Sequence, residues 1–413
     1  MLRIFLSLLV VIPSLLVGKE KICLNMIVKN ESQIITRCLD SVKPVIDYWV
    51  IVDTGSTDNT IEVIKEHMKD IPGELHERPW VNWGATRTEA FKLAFEKGDY
   101  ILFMDADDIL EFDREKGFPI LTADLYHMWR GNKGFTYLKP QIVKANLPWR
   151  WVGVTHEYLD CLVPYSSETL EAVKYVTLDG GAASKEPKRK FQKNVDLLEQ
   201  GLKEEPDNAR YAFYLGESYR DLGEKGKALE VYQKRVNMGG WSEETFWSML
   251  QIGHLLRDIG LPSNIVETAY YNAHEFRPHR PEPVYYLAEI YNEQEDYEKA
   301  YAWIKSLQSI PKPPEKDSLF NIDWIEEYGL LFQLSICSYY VGQYQECLAA
   351  CDKLLQIDYM PEGWKKQTGI NRSFPLAKLE EIKTEDDLKS VDVATVSPAG
   401  EEVAVDLSVS STP

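Results

Sequence analysis

Tyr100-Ile101-Leu102-Phe103-Met104-Asp105-Ala106-Asp107-Asp108 joins an apolar run to a turn that carries three carboxylates. A short apolar run without alternation fits a strand buried on both faces, which calls for helices on either side of a sheet. Two upstream runs, Ile22–Val28 and Tyr48–Val52, are rich in β-branched residues and also end on polar residues. Between them, Ile34, Ile35, Cys38, Leu39 and Val42 put Ser32–Val42 at helical spacing. Thr57–Met68 and Ala85–Lys97 are further helices. Strand, helix, strand, helix, helix, strand predicts a mostly parallel sheet with crossover helices. Ligands of such sheets bind beyond the carboxyl ends of the strands, so the polar residues after Val28, Val52 and Met104 share one rim.

The rim residues have specific chemistry. Asp105 and Asp107, two apart on a turn, can converge on a hard cation such as Mg²⁺ or Mn²⁺, with water and phosphate oxygens completing its shell. The same pair is also an ordinary acidic turn when taken alone. Asp53-Thr54-Gly55-Ser56-Thr57-Asp58 follows a strand and opens a helix. Ser56 or Thr57 would cap that helix, and Asp53 would accept hydrogen bonds from a base or ribose. Lys29-Asn30-Glu31 brings charge to the same rim. Arg87, near the start of the third helix, can grip a phosphate or carboxylate bidentately.

Met26-Ile27-Val28-Lys29-Asn30-Glu31, Ile51-Val52-Asp53-Thr54-Gly55-Ser56-Thr57-Asp58 and Phe103-Met104-Asp105-Ala106-Asp107-Asp108 occur in the order and spacing of family-2 glycosyltransferases. The chain resembles that family over about Lys21–Asp179. The resemblance implies a GT-A fold and an inverting enzyme that uses a nucleotide-diphosphate sugar with Mn²⁺ or Mg²⁺. It implies that Val28, Lys29 and Asn30, with Asp53, cradle base and ribose. Arg87 would lie near the nucleotide, although Thr86-Arg87-Thr88 stands where the family usually has Ala-Arg-Asn. Asp105 would approach ribose or metal, Asp107 would bind the metal, and Asp108 would be a ligand or hold one.

Inverting transfer needs a base for the acceptor nucleophile. Trp149-Arg150-Trp151-Val152-Gly153-Val154-Thr155-His156-Glu157 offers aromatic platforms and an imidazole beside a carboxylate. Glu157 is assigned as the base, Asp160 as the reserve, and His156 as a metal or phosphate contact. The family's usual carboxylate pair followed by Arg-Trp is not recognisable here.

Beyond this region the sequence turns helical. Leu215, Gly216, Tyr219, Gly223, Ala228 and Tyr232 recur as Leu287, Ala288, Tyr291, Glu295, Ala300 and Ile304, and again as Leu334, Ser335, Gly342, Tyr344, Cys347 and Cys351. Ile252-Gly253 begins a copy whose spacing is lost after Ile259-Gly260. The pattern resembles tetratricopeptide repeats, in which small residues let paired helices approach. The expected layout is a signal peptide or anchor over 1–18, a GT-A domain over 21–180, repeats over 187–375 and a disordered acidic tail over 376–413. The expected class is α/β followed by an all-α solenoid.

Composition sets the limits. In 413 residues, 65 acidic against 46 basic side chains give −19, and the tail from 381 supplies −6 of it. That balance excludes a generic nucleic-acid binder, which needs a basic surface. Six cysteines without a CxxC pair give neither a disulfide framework nor a zinc ribbon; Cys347 and Cys351 read as buried thiols. The apolar run Ile4–Val17 is short for a ~20-residue span and leads to the expectation of a secretory-pathway or membrane-associated location. The acceptor is expected to be a carbohydrate, lipid or protein, with a further protein partner on the repeats. A competing reading is a non-catalytic repeat scaffold with a degenerate transferase domain.

Overall fold

A computed structural model describes residues 20–132, 135–178, 187–311 and 319–395. The chain divides into two compact units, Met1–Phe276 with Pro313–Asp323, and Arg277–Lys312 with Trp324–Pro413.

The first unit begins with β1 (Ile22–Val28), α1 (Ile35–Val42), β2 (Tyr48–Asp53), α2 (Thr60–His67), β3 (Gly73–Glu77), α3 (Trp83–Ala94) and β4 (Tyr100–Phe103). The strands β5 (Asp108–Phe112), β6 (Leu125–Asn132), β7 (Phe135–Lys144), β8 (Trp149–Val152), β9 (Tyr158–Cys161), β10 (Ser167–Thr169) and β11 (Val173–Thr177) follow. The main sheet runs β3-β2-β1-β4-β7-β6-β11-β5, with β10 beside β6, and β8-β9 form a separate ribbon. Its first half is parallel as expected, but β7 pairs antiparallel with β4 and β6, and β5 antiparallel with β11. The sheet is therefore mixed.

Side-chain alternation explains the two covered faces. Leu24, Met26, Ile51 and Leu102 pack with Cys38, Leu39 and Val42 of α1 and Ile64 of α2. Cys23, Val50, Ile101 and Phe103 face the other way, onto Phe91 and Ala94 of α3 and onto Trp149 and Trp151 of the ribbon. Truncating a side chain as deeply buried as Leu39 to alanine costs about 2–5 kcal/mol in such cores. Because β1, β2 and β4 are parallel, with Val28 opposite Asp53 and Asn25 opposite Phe103, their carboxyl ends open on one edge.

The same unit continues through α4 (Pro187–Glu204), α5 (Ala209–Leu222), α6 (Lys225–Val236), α7 (Ser242–Asp258) and α8 (Ser263–Phe276). The compact units thus do not divide near residue 180; five helices group with the sheet. The second unit holds α9 (Glu282–Glu293), α10 (Tyr297–Gln308), a π-helical turn Ile325–Gly329, α11 (Leu330–Tyr340), α12 (Tyr344–Leu355) and α13 (Glu362–Thr395). The helices form hairpins built on the repeat residues. A Cβ on Gly216 would stand 2.7 Å from the Tyr232 ring, and one on Gly253 a closely similar distance from Tyr270. The copy beginning at Gly253 is therefore intact, its packing tyrosine one position later than in the first. The first helix of each hairpin ends on a left-handed residue: Gly223, Gly260 and Gly342, with Glu295 in the same role.

Two expectations change. α13 remains helical to Thr395, where a tail without structure was expected from 376; Ala377-Lys378-Leu379-Glu380-Glu381 are good helix formers, and Lys378 pairs with Glu381 at 2.7 Å. The location inferred from the N-terminal apolar run is also corrected. Among the described residues no helix is long and apolar enough to cross a membrane. The run itself and the signal peptide or anchor assigned to 1–18 lie outside the described residues.

Candidate active site

The loops after β1 and β2 are latched together. Asn30, at φ +58°, donates its N–H to Ser56 Oγ (2.9 Å) and accepts from Thr57 N–H at Oδ1 (2.7 Å). Glu31 N–H donates to Thr60 Oγ1 and Ser32 Oγ to Asp58 Oδ2. Ser56 and Thr57 therefore tie the rim together rather than cap α2, which begins only at Thr60. Asn30's side-chain oxygen is spent in the latch. The Val28 carbonyl is taken by the N–H and hydroxyl of Thr54. Lys29 is exposed, its ammonium over Gly55.

Asp53 is almost fully buried at the end of β2. Its Oδ1 accepts from Gly55 and Ser56 N–H at 2.9 and 2.8 Å, while Oδ2 is buried with no partner. A buried carboxylate oxygen without a donor is costly unless a ligand supplies one. The nucleoside contact inferred from sequence thus falls on an atom with an open hydrogen-bond position.

Arg87 is the centre of the rim's charge. Asn82 caps α3 by accepting from Ala85 N–H, which places Arg87 a turn inside the helix. Thr88 Oγ1 accepts from Trp151 N–H at 2.9 Å, and Thr86 Oγ1 from Val81 N–H. The two threonines flanking Arg87 thus anchor α3 to the ribbon and to the preceding loop. The guanidinium donates from Nε to Glu157 Oε1 (2.6 Å) and from Nη2 to Asp105 Oδ1 (2.5 Å), with the rings of Trp151 and Trp83 at 5.5 and 5.7 Å. Three distant segments of chain meet there.

Asp105 is held by more than Arg87. Its Oδ2 accepts from Lys139 Nζ (3.1 Å) and lies 3.5 Å from Arg130 Nη1. Arg130 also reaches Asp108 Oδ1 (3.2 Å), and Tyr175 donates its hydroxyl to Asp108 Oδ2 (2.5 Å). Burial alone would raise the Asp105 pKa, but Arg87, Lys139 and Arg130 hold it well below the usual carboxylate range. Asp108 moves the other way, raised by burial and by the charge of Asp105. Burial lowers the Lys139 ammonium.

This geometry separates the proposed metal ligands. Both Asp105 oxygens face cations, which repel a metal. His156 lies elsewhere: its ring stacks on Tyr214 at 4.0 Å, its Nε2 is 3.4 Å from Asn194 Nδ2, and burial pushes its pKa down to about 3. Among the described residues no group of three or more His, Cys, Asp and Glu could hold a metal. Asp107 is half-buried and its carboxylate pairs with no described residue. A single carboxylate can hold a hard cation whose other ligands are supplied by substrate and water, so of the three residues expected to bind one, Asp107 is the one whose surroundings are compatible with it.

Asp160 is also set apart from Arg87. It lies opposite Arg150 in the β8–β9 ribbon and accepts from Arg150 Nε and Nη2 at 2.9 and 2.8 Å. Strand alternation puts this pair on the face away from Trp149 and Trp151, hence away from Arg87. Sequence reasoning missed Arg130, Lys139 and Tyr175, which nonlocal strand pairing brings to the rim. It also missed Lys193 of α4, whose ammonium lies 3.3 Å from the Trp80 ring centre and close enough to Lys29 to be lowered by it, after burial.

Residues 23–116 match the family model described as glycosyl transferase family 2. A Rickettsia conorii protein called an uncharacterized glycosyltransferase is 32% identical over 238 residues, covering 55% of this chain and 79% of its own. The SPbeta prophage-derived glycosyltransferase SunS of Bacillus subtilis is 25% identical over 261 residues, and the chain spans only 57% of its length (55% of this chain). A TPR repeat-containing protein of Synechococcus elongatus is 36% identical over 91 residues, or 22% of this chain and 21% of that protein.

Proposed function

The chain belongs to glycosyl transferase family 2, and from that premise we propose that it moves a sugar from a nucleotide-diphosphate donor to an acceptor hydroxyl, amine or thiol with inversion at C1. The observation that carries the proposal is the Asp105–Arg87–Glu157 chain of charge at the carboxyl edge of the parallel strands.

In this reading Asp53 Oδ2 accepts from the base or ribose, and its orphaned state supports that role. Lys29, over Gly55, faces the same turn. Asp105, fixed by three cations, stands beside the ribose rather than on a metal. Asp107 holds Mn²⁺ or Mg²⁺, which when bound neutralises charge on the departing diphosphate. Glu157 takes the acceptor proton. Its Oε1 is fixed by Arg87, and no described residue engages Oε2, which is left for the nucleophile. As the nucleophile bonds to C1, the bond from C1 to the diphosphate breaks and the proton passes to Glu157. The acceptor is a carbohydrate, lipid or protein, and the repeats provide a surface for a protein partner.

A thermal-shift screen of UDP, GDP, CDP, ADP and dTDP, with and without Mn²⁺, tests the donor site. A nucleotide at about a hundred times its Kd should add about 2.7 kcal/mol of stability. Asp107→Ala should remove the Mn²⁺-dependent part, and Glu157→Gln should retain binding but lose hydrolysis of the matching nucleotide sugar. No stabilisation by any diphosphate would favour the scaffold reading.

A further inference from the structure

Glu157 ends the segment Gly153–Glu157 between β8 and β9. The α3 side of this segment is fixed by main chain: Trp83 N–H donates to the Val154 carbonyl (3.2 Å) and Gly84 N–H to the Gly153 carbonyl (3.1 Å). Its other side rests on helices that follow the sheet. Thr155 Oγ1 bonds Asn194 Oδ1 of α4 at 3.2 Å. The His156 ring lies parallel to Tyr214 of α5.

Arg210, in the first turn of α5, donates from both Nε (3.1 Å) and Nη2 (2.9 Å) to the His156 carbonyl. Its Nη1 donates to Glu244 Oε1 of α7 at 2.7 Å, and the other Glu244 oxygen accepts from the fully buried Arg235 at 3.2 Å. His156 has φ +50°, a left-handed conformation that is unfavourable for a non-glycine residue and persists only where the surroundings enforce it. The strained residue immediately precedes Glu157. A planar guanidinium, itself fixed by a buried carboxylate, therefore grips the main chain next to the proposed base.

We propose that Arg210 is a positioning residue for transfer: from the first repeat hairpin it fixes the His156 main chain and so sets the Glu157 carboxylate against Arg87. The inference rests on the reading of Glu157 as the base. It gives the repeat helices a part in the chemistry besides partner binding, and it matches the grouping of α4–α8 with the sheet in one compact unit.

The test uses the full chain, with hydrolysis or transfer of the nucleotide sugar matched to the diphosphate that binds. Arg210→Ala should lower kcat by about a hundredfold, the usual cost of misplacing a catalytic group by an ångström, while the Kd of that diphosphate stays at the wild-type value. Guanidinium ion added to Arg210→Ala should restore part of kcat. Arg210→Lys, which keeps the charge but lacks the fork, should be intermediate. Wild-type kcat in Arg210→Ala, or in Arg210→Lys if the alanine variant does not fold, overturns the proposal. So does loss of diphosphate binding in step with kcat, which marks a merely structural role. If Glu157→Gln keeps wild-type kcat, the base assignment itself fails, a result distinct from inactive Glu157→Gln beside fully active Arg210→Ala.

Discussion

Arg87 Nε and Glu157 Oε1 lie 2.6 Å apart, joining α3 to the β8–β9 connection across 70 residues of sequence, with about a tenth of either side chain exposed. The same guanidinium binds Asp105. Removing it strands one buried carboxylate and strips a partner from another. Arg87→Met is expected to cost about 3–5 kcal/mol, the penalty for breaking a buried pair from one side. Arg87→Lys should cost less stability yet still lose activity, since one ammonium cannot span both carboxylates. Urea unfolding together with nucleotide-sugar hydrolysis checks both; a stable, active Arg87→Met would remove Arg87 from the site.

Asp53 permits a clean separation of ligand from scaffold. Asp53→Asn keeps an oxygen for Gly55 and Ser56 N–H but turns the orphaned Oδ2 into a donor. Unfolding stability should change little, whereas nucleoside diphosphate affinity should fall by roughly 10–150-fold, the worth of a charged hydrogen bond. Calorimetry on both proteins decides; unchanged affinity would leave Asp53 a turn residue only.

Gly84 tests the α3 side of the Glu157 segment. A Cβ there would overlap the Gly153 carbonyl, and backbone cannot swing aside as a side chain can. Gly84→Ala should cost about 1–3 kcal/mol, as overpacking does, and should lower kcat because Gly153–Glu157 must shift. Retained kcat at reduced Tm would mean that the shift is absorbed before Glu157.

The rim was legible because its signals are local. Val28, Val52 and Met104 each end an apolar run, and parallel pairing needs no further information to bring the polar residues that follow them to one edge. Arg130, Lys139 and Tyr175 carry no such mark: they reach Asp105 and Asp108 only through the antiparallel pairing of β4, β7 and β6 and the return of β11. Tyr137, two residues before Lys139 on β7 and within electrostatic reach of Arg130, shares a strand face with Lys139, and that period-two spacing was the available signal. His156 was expected as a metal or phosphate contact, and sequence adjacency to Glu157 does not show that a left-handed residue turns its ring onto Tyr214. Gly216 and Gly253 were legible as repeat positions, and one inserted residue hid the second hairpin.

His156 gives the pH dependence. Burial, then the positive charges of Arg210 and Lys190, lower its pKa from an ordinary 6.5 to about 3. The unfolded chain therefore takes up a proton on this residue below pH 6.5 while the folded protein does not. The stability it contributes is complete above that value and is lost as pH falls toward 3, at up to about 1.4 kcal/mol per pH unit. His254 shifts similarly, to about 4 through burial, and burial lowers His127 and His274 as well, so the wild-type slope contains all four residues. His156→Gln should remove one proton's share and leave those of His254, His127 and His274. Unfolding free energies of the two proteins between pH 7 and pH 4.5 should diverge at neutral pH and converge toward acid, because the variant lacks the Tyr214 stacking at every pH but also lacks the acid penalty that the His156 imidazole imposes on the wild type. Parallel curves would mean that the His156 imidazole is protonated in the folded state, and the neutral ring stacked on Tyr214 would be the wrong description.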